Sequence, residues 1–150
     1  MNWKLRSVSY SGLSSVRYDA QVCRFEPDNL HALVLAFSGH VPEGSAGNDD
    51  ARFMSFITGQ FVVLTLPDCV VFDLRDLVYT FGSSLLGLPQ AAETEIEGLP
   101  SIFVASDKCR SGLTSLLAPA DTDTSGFLFD DLDSALHRAK HLASEYGANN

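Results

Sequence analysis

Apolar positions change their spacing along the chain, and each change predicts an element. Residues 69–72 (Cys-Val-Val-Phe) form a continuous run of apolar, mostly β-branched or aromatic residues, with Pro67 and Asp68 before it and Asp73 after. The run is too short for a helix and lacks polar alternation, which predicts a strand buried on both faces of a parallel sheet. Residues 30–38, 99–105 and 127–129 predict further strands, with Pro100 at a permitted first position. Residues 3–10 and 18–25 alternate imperfectly and flank Ser11-Gly12-Leu13-Ser14-Ser15, which predicts an N-terminal antiparallel hairpin.

Three- and four-residue spacing marks the helices. Phe53, Phe56, Ile57, Phe61 and Leu64 form one stripe of a helix over residues 49–65. Gly59 leaves open a second reading, a helix ending near Thr58 followed by a strand over 60–66; the single helix is preferred. Ser83 or Ser84 starts the next helix, and Pro89 is expected to kink or end it about two turns in, leaving 90–98 as an exposed acidic connection. Ser106-Asp107 caps a helix with Cys109, Leu113, Leu116 and Leu117 on one face, stopped by Pro119. Leu132, Ala135, Leu136, Ala139, Leu142, Ala143 and Tyr146 share a face of the last helix, which Gly147 is expected to terminate. Residues 39–50 and 121–126 read as polar loops. Strands each followed by a helix describe an α/β fold, with a mixed, largely parallel sheet, crossover helices and the antiparallel hairpin at its edge. The expected organisation is a single domain over 1–150, with a hairpin extension (1–26), a core (27–147) and a tail (148–150).

Charge sharpens this picture. The 150 residues carry a net charge of −9, distributed unevenly. Residues 1–25 hold Lys4, Arg6, Arg17 and Arg24 against Asp19, so the acidity belongs to the rest of the chain. An acidic body repels nucleic acid and anionic membranes and favours a basic protein partner. No apolar run approaches the roughly 20 residues that span a bilayer, and the N-terminus has no continuous apolar core of a secretory signal. A cytoplasmic location is expected. Cys23, Cys69 and Cys109 are odd in number and far apart, as expected of reduced thiols rather than a disulfide framework or zinc site.

Candidate chemistry is sparse. Ser83 and Ser84 fall at the carboxyl end of the central strand and at a helix start, where free N–H groups favour an anion, and where a serine also serves simply as an N-cap. Asp73 and Asp76, with Asp68 nearby, suggest paired carboxylates, but no second group completes a catalytic set, and Asp73 is expected to end the strand and bond loop backbone. Cys109, flanked by Lys108 and Arg110 near a helix start, is the best candidate for a reactive thiol, although it also fills an apolar stripe. His137 and His141 stand four apart on the last helix, off its apolar face, where a solvated basic face is the better reading than a metal site. His31 and His40 have no acid or nucleophile nearby in sequence. Nucleotide-binding and hydrolase signatures are missing from the sequence.

The stretch Val70-Val71-Phe72-Asp73-Leu74-Arg75-Asp76-Leu77-Val78-Tyr79-Thr80-Phe81-Gly82-Ser83-Ser84-Leu85 resembles the strand, loop and helix core of the STAS domain, the anti-anti-sigma factor family. A looser similarity runs through Pro100 to Leu117 and the closing Phe127-Leu128-Phe129 with its helix, so that it spans about residues 30–146. The chain departs from the family motif at Phe81 and Leu85, in place of its Asp and Gly. The resemblance implies a STAS-like fold, Ser83 at the position of the phosphoacceptor, and a switchable protein-binding surface around residues 79–86. The resulting expectation is a non-catalytic acidic interaction module, without cofactor or metal. It would regulate or neutralise a protein partner, as a signalling switch or as an immunity-type inhibitor of a basic toxin. The partner-binding candidates are Tyr79, Phe81, Ser83, Ser84, Glu93, Glu95, Glu97, Asp121 and Asp123. The alternative is a small enzyme using Cys109, or Asp73 with Ser83.

Overall fold

The strand expected at residue 69 runs from Cys69 to Val78 (β3) and occupies the middle of a five-stranded sheet ordered β1-β2-β3-β4-β5. The computed structural model describes residues 3–82, 84–117 and 123–149, the side chains of Ser84 and Asn149 excepted. In chain order the elements are α1 (Tyr10–Leu13), β1 (Arg17–Phe25), β2 (Leu30–His40), a 3-10 turn (Gly44–Gly47), α2 (Asn48–Thr65) and β3. Beyond β3 come a 3-10 turn (Ser84–Leu86), α3 (Gly87–Glu95), β4 (Ser101–Val104), α4 (Arg110–Leu117), β5 (Leu128–Phe129) and α5 (Leu132–Asn149). The β1–β2 pair is antiparallel and every other pairing is parallel. A parallel pair needs a crossover, which α2, α3, α4 and the intervening segments supply.

Side chains alternate across the strands and so build two cores. Val70, Phe72 and Leu74 of β3 join Leu33, Leu35 and Phe37 of β2 under α2, α3 and α4. Cys69 and Val71 join Ala32, Val34, Ile102 and Val104 under Ala135, Ala139 and Ala143 of α5. Cys69 through Phe72 are fully buried, as a strand covered on both faces requires. Phe72 lies stacked on Phe103 of β4 with ring centroids 5.2 Å apart.

A bulge on β3 interrupts the two-residue period. Between the pairs Ala36–Asp73 and Ser38–Asp76, β2 advances two residues and β3 three. The extra residue reverses the parity of the rest of the strand, so that Leu77 and Tyr79 return to the same core as Leu74. The strand therefore continues past Asp73, which was expected to end it.

Several other expectations are corrected. Residues 3–9 form no strand; the partner of β1 is β2, through a turn at residues 26–29, and residues 10–13 coil against α2 because the Tyr10 ring finds Phe53 and Phe56 there, at 6.4 and 6.0 Å. The loop after β2 is short, since β2 reaches His40 and the chain turns helical at Gly44. Pro89 does not end a helix but sits in the first turn of α3, where a missing N–H leaves no intrahelical bond unmade. Glu93 and Glu95 are thus helical. The helix over α2 forms in one piece, yet Phe56 and Leu64 are exposed, and Met54, Thr58 and Val62 take the buried positions with Phe53 and Ile57. Gly147 lies within α5, which continues to Asn149.

Candidate functional site

Strands β2, β3 and β4 point their carboxyl ends the same way, and the loops leaving them meet in one crest. In open α/β sheets this edge is where ligands and partners gather. Residues 79–82, which follow β3, form its middle, held from both sides. From the β2 side, the Val41 N–H donates to the Val78 carbonyl at 2.9 Å, and the Gly44 N–H to the Phe81 carbonyl at 3.4 Å. From the β4 side, the Tyr79 N–H donates to the Lys108 carbonyl at 3.1 Å and the Ser106 hydroxyl to the Arg75 carbonyl at 2.6 Å.

Two glycines make this close approach possible. Gly82 has φ +131, which side chains disfavour, and it lies against the Gly44 backbone. Gly112 of α4 sits so near the segment that a Cβ would stand 2.6 Å from the Thr80 carbonyl oxygen and 2.7 Å from the Tyr79 ring. Tyr79 is buried, and its hydroxyl donates to the Gly82 carbonyl, closing the loop on itself. Burial raises the Tyr79 pKa, so the phenol keeps its proton for that bond. Phe81, by contrast, is 53% exposed at the top of the loop. Phe81 thus presents a large apolar ring to solvent from a segment whose backbone is bonded on both flanks.

Charges surround it in pairs. The Asp73 carboxylate accepts from Nε and Nη2 of Arg75 at 2.9 and 2.8 Å. That bond, ahead of the opposing cost of burial, raises the Arg75 pKa. Lys108 faces Asp76 at 3.7 Å, and Arg110 pairs with Asp130. Asp131 accepts from the Ser134 N–H and hydroxyl at 2.7 and 2.9 Å, which caps α5 and lowers the carboxyl pKa.

The thiol reading is overturned. Cys109 is fully buried, and its Sγ–H faces the Leu74 carbonyl at 3.2 Å. Burial raises its pKa, outweighing the lowering by the Ser106 backbone bond and Arg110, so it is not an activated nucleophile. Asp73, occupied by Arg75 within the strand, is not a free carboxylate at the strand exit. Cys69 is also buried, with its pKa pushed up to about 12, first by desolvation.

The partner-binding candidates divide by position. Tyr79 and Phe81 belong to the crest, and the Ser84 backbone opens the following turn; Ser83 and Asp121 lie outside the described residues. Because α3 runs back along the sheet, Glu93 and Glu95 fall in its last two turns, and Glu97 follows near the start of β4, its carbonyl bonded by the Tyr146 hydroxyl at 3.2 Å. That is the opposite end of the parallel strands. Asp123 precedes β5 at that end too, with its carboxylate accepting the Ser125 N–H at 2.9 Å, which lowers its pKa. The structure thus separates Glu93, Glu95, Glu97 and Asp123 from the aromatic candidates.

Three of the histidines are tied to a carboxylate or carbonyl. His31, without a sequence neighbour of that kind, gains one through folding: its backbone N–H donates to the Asp68 carboxylate at 2.9 Å, its ring Nδ1 lies 3.7 Å from the same carboxylate, and its Nε2 reaches the Thr65 carbonyl at 2.8 Å. His137 pairs with Asp133 and His141 with Glu145 along α5, each four residues away. No group of three or more metal-ligating side chains comes together among the described residues. No helix among them is long and apolar enough to cross a membrane.

Sequence reasoning missed Gly44, Gly82 and Gly112 as supports of the crest. A glycine inside the stripe of α4 was the available signal, since that position costs helix stability unless something approaches it.

No protein-family model and no curated protein sequence matches the chain. Among solved structures, the chain is similar to an anti-sigma factor antagonist from Mycobacterium paratuberculosis, at 20% identity and a TM-score of 0.54. The similarity covers 83% of this chain and 95% of that one. The sheet order, the hairpin at its edge and this likeness together establish a STAS-like α/β fold.

Proposed function

We propose that this chain is a non-catalytic protein-interaction module that regulates or neutralises a protein partner through the crest at the carboxyl end of its sheet. The observation that carries this reading is Phe81, half exposed on a loop bonded from both flanks. An exposed aromatic on a loop with bonded backbone is the kind of side chain that anchors interfaces, and the preformed backbone lowers the ordering cost of binding. Tyr79 contributes by holding the loop. Ser83 is the phosphoacceptor in this reading, where a phosphate would add charge two residues along the chain from Phe81 and switch docking. The fold shared with an anti-sigma factor antagonist favours a regulatory switch over an immunity-type inhibitor.

The acidic body steers encounter with a basic partner, whereas the crest supplies the contact. Affinity capture with the full chain, followed by Phe81→Ala, tests it. The variant is expected to fold normally and to lose the partner. The association rate is expected to fall with added salt while dissociation changes little. A partner retained in full by Phe81→Ala would overturn the assignment of the crest, and turnover of a substrate by the chain would overturn the non-catalytic reading.

A further inference from the structure

Phe81 does not stand alone on the crest. A Cβ at Gly44 would lie 3.7 Å from Phe81 Cε2, so one edge of the ring rests on the loop leaving β2 while the rest meets solvent. The residue before Gly44 is Glu43, and it is exposed. On the other flank the Lys108 carbonyl accepts the Tyr79 N–H, and the residue before Lys108 is Asp107, also exposed. The two loops that bond residues 79–82 therefore each bring a carboxylate to the crest.

The bases around these loops are already answered by acid. Arg75 is held by Asp73, Lys108 faces Asp76 at 3.7 Å, and Arg110 pairs with Asp130. Arg52, in the second turn of α2, faces Asp49 at 3.5 Å. Arg17, at the sheet edge, lines a depression with Asp19, Asp73 and Asp76, where acid outnumbers it. Glu43 and Asp107, by contrast, have no ion pair and no side-chain hydrogen bond among the described residues. In water such carboxylates are content with solvent. Covered by a partner, each loses that solvent and needs positive charge in its place.

Resting on the reading of the crest as the docking surface, we propose that Glu43 and Asp107 select the partner, whose matching site is an apolar recess for Phe81 bracketed by two basic side chains. A neutral or acidic rim around that recess would leave both carboxylates desolvated and unpaired, a penalty that rejects wrong partners. Selection of this kind differs from steering by net charge. Steering acts before contact and draws on every acid of the chain, whereas these two pairs form in the docked complex and resist its dissociation.

The probe is the partner captured on the full chain, purified, with association and dissociation rates measured against wild type and variants. Glu43→Gln with Asp107→Asn removes both charges and keeps the shapes. Glu93→Gln with Glu97→Gln removes the same charge at the opposite end of the sheet. All four positions are exposed, so both proteins are expected to keep wild-type melting. The crest pair is expected to speed dissociation about tenfold, while the distal pair leaves dissociation unchanged and slows association slightly. Glu43→Asp with Asp107→Glu keeps the charges and is expected to retain most of the lifetime of the complex. Dissociation unaltered by the crest pair, or altered as much by the distal pair, overturns the proposal. If Phe81→Ala still releases the partner in that case, the docking surface stands and only selection by these carboxylates falls. If Phe81→Ala also binds in full, or the chain captures no partner, the reading of the crest falls with it.

Discussion

On the α5 side, the sheet presents Ala32, Val34, Cys69, Val71, Ile102 and Val104 to Ala135, Ala139 and Ala143; on the other side, Phe37 and Phe72 meet Phe53, Met54 and Leu88. Small side chains let a single helix approach closely and seal one face. Large ones fill the wider space beneath three helices, and that core continues through Leu77, Tyr79 and Leu85 into the crest. The two faces therefore carry separate duties: the α5 face closes the fold, and the opposite face also sets the position of the loop bearing Phe81.

Substitutions on the two sides separate these duties. Phe72→Ala removes a stacked ring from the large-residue core and is expected to cost about 3–5 kcal/mol in denaturant unfolding, the largest effect in the set. Ala139→Leu forces bulk into the tight face and is expected to cost about 1–3 kcal/mol. Amide exchange in residues 79–82 is expected to remain as in the wild type, because that face does not reach the crest; faster exchange there would contradict the division.

Gly112→Ala is the complementary case. Its Cβ meets the Thr80 carbonyl and Tyr79 ring, which must shift, at a cost of roughly 1–2 kcal/mol. Faster amide exchange at residues 79–82, with β2 and β3 unchanged, is the expected outcome. Tyr79→Phe removes the bond to the Gly82 carbonyl and is expected to cost about 0.5–1.5 kcal/mol. The loss is expected to appear in crest exchange and partner capture more than in melting.

The thiols give the gentlest probe. Cys69 titrates near 9 when unfolded and about 12 when folded, so the folded state holds its proton longer. Its contribution to stability is whole below about pH 9 and is lost as pH rises toward 12. Alkaline unfolding curves should show that decline, and Cys69→Ala should flatten it. Under native conditions a thiol reagent should label partly buried Cys23 alone, leaving Cys69 and Cys109 for the unfolded chain.

The contrast between the faces also explains which parts of the fold were legible in sequence. Ala135, Ala139 and Ala143 repeat every four residues, and Cys69 to Phe72 are apolar throughout, so a local pattern named both the sealing helix and the central strand. At α2, the stripe through Phe56 and Leu64 had the right period but the wrong bearing. Rotation about a helix axis depends on what the helix packs against, which no local spacing contains. Residues 3–9 alternate like a strand and yet form none, while β1, the edge strand of the sheet, takes β2 as its partner, and nothing local says which segment a strand will pair with. Pro89 misled for a related reason: its effect depends on its distance from the helix start, which the crossover places just before it.

Hydrophobic period and turn chemistry act between near neighbours, and they were enough to specify the α/β class, the central strand, the final helix and the placing of residues 79–86 after that strand. Folding had to decide that Tyr79 supports while Phe81 presents, that Cys109 is inert, and that Glu93 to Glu97 lie far from the crest. Each of those depends on groups brought together across the sheet: Gly112 against Tyr79, Leu74 against Cys109, and α3 turned back along the strands. Burial and proximity of that kind arise from packing among distant segments, and they become definite only once the chain is folded.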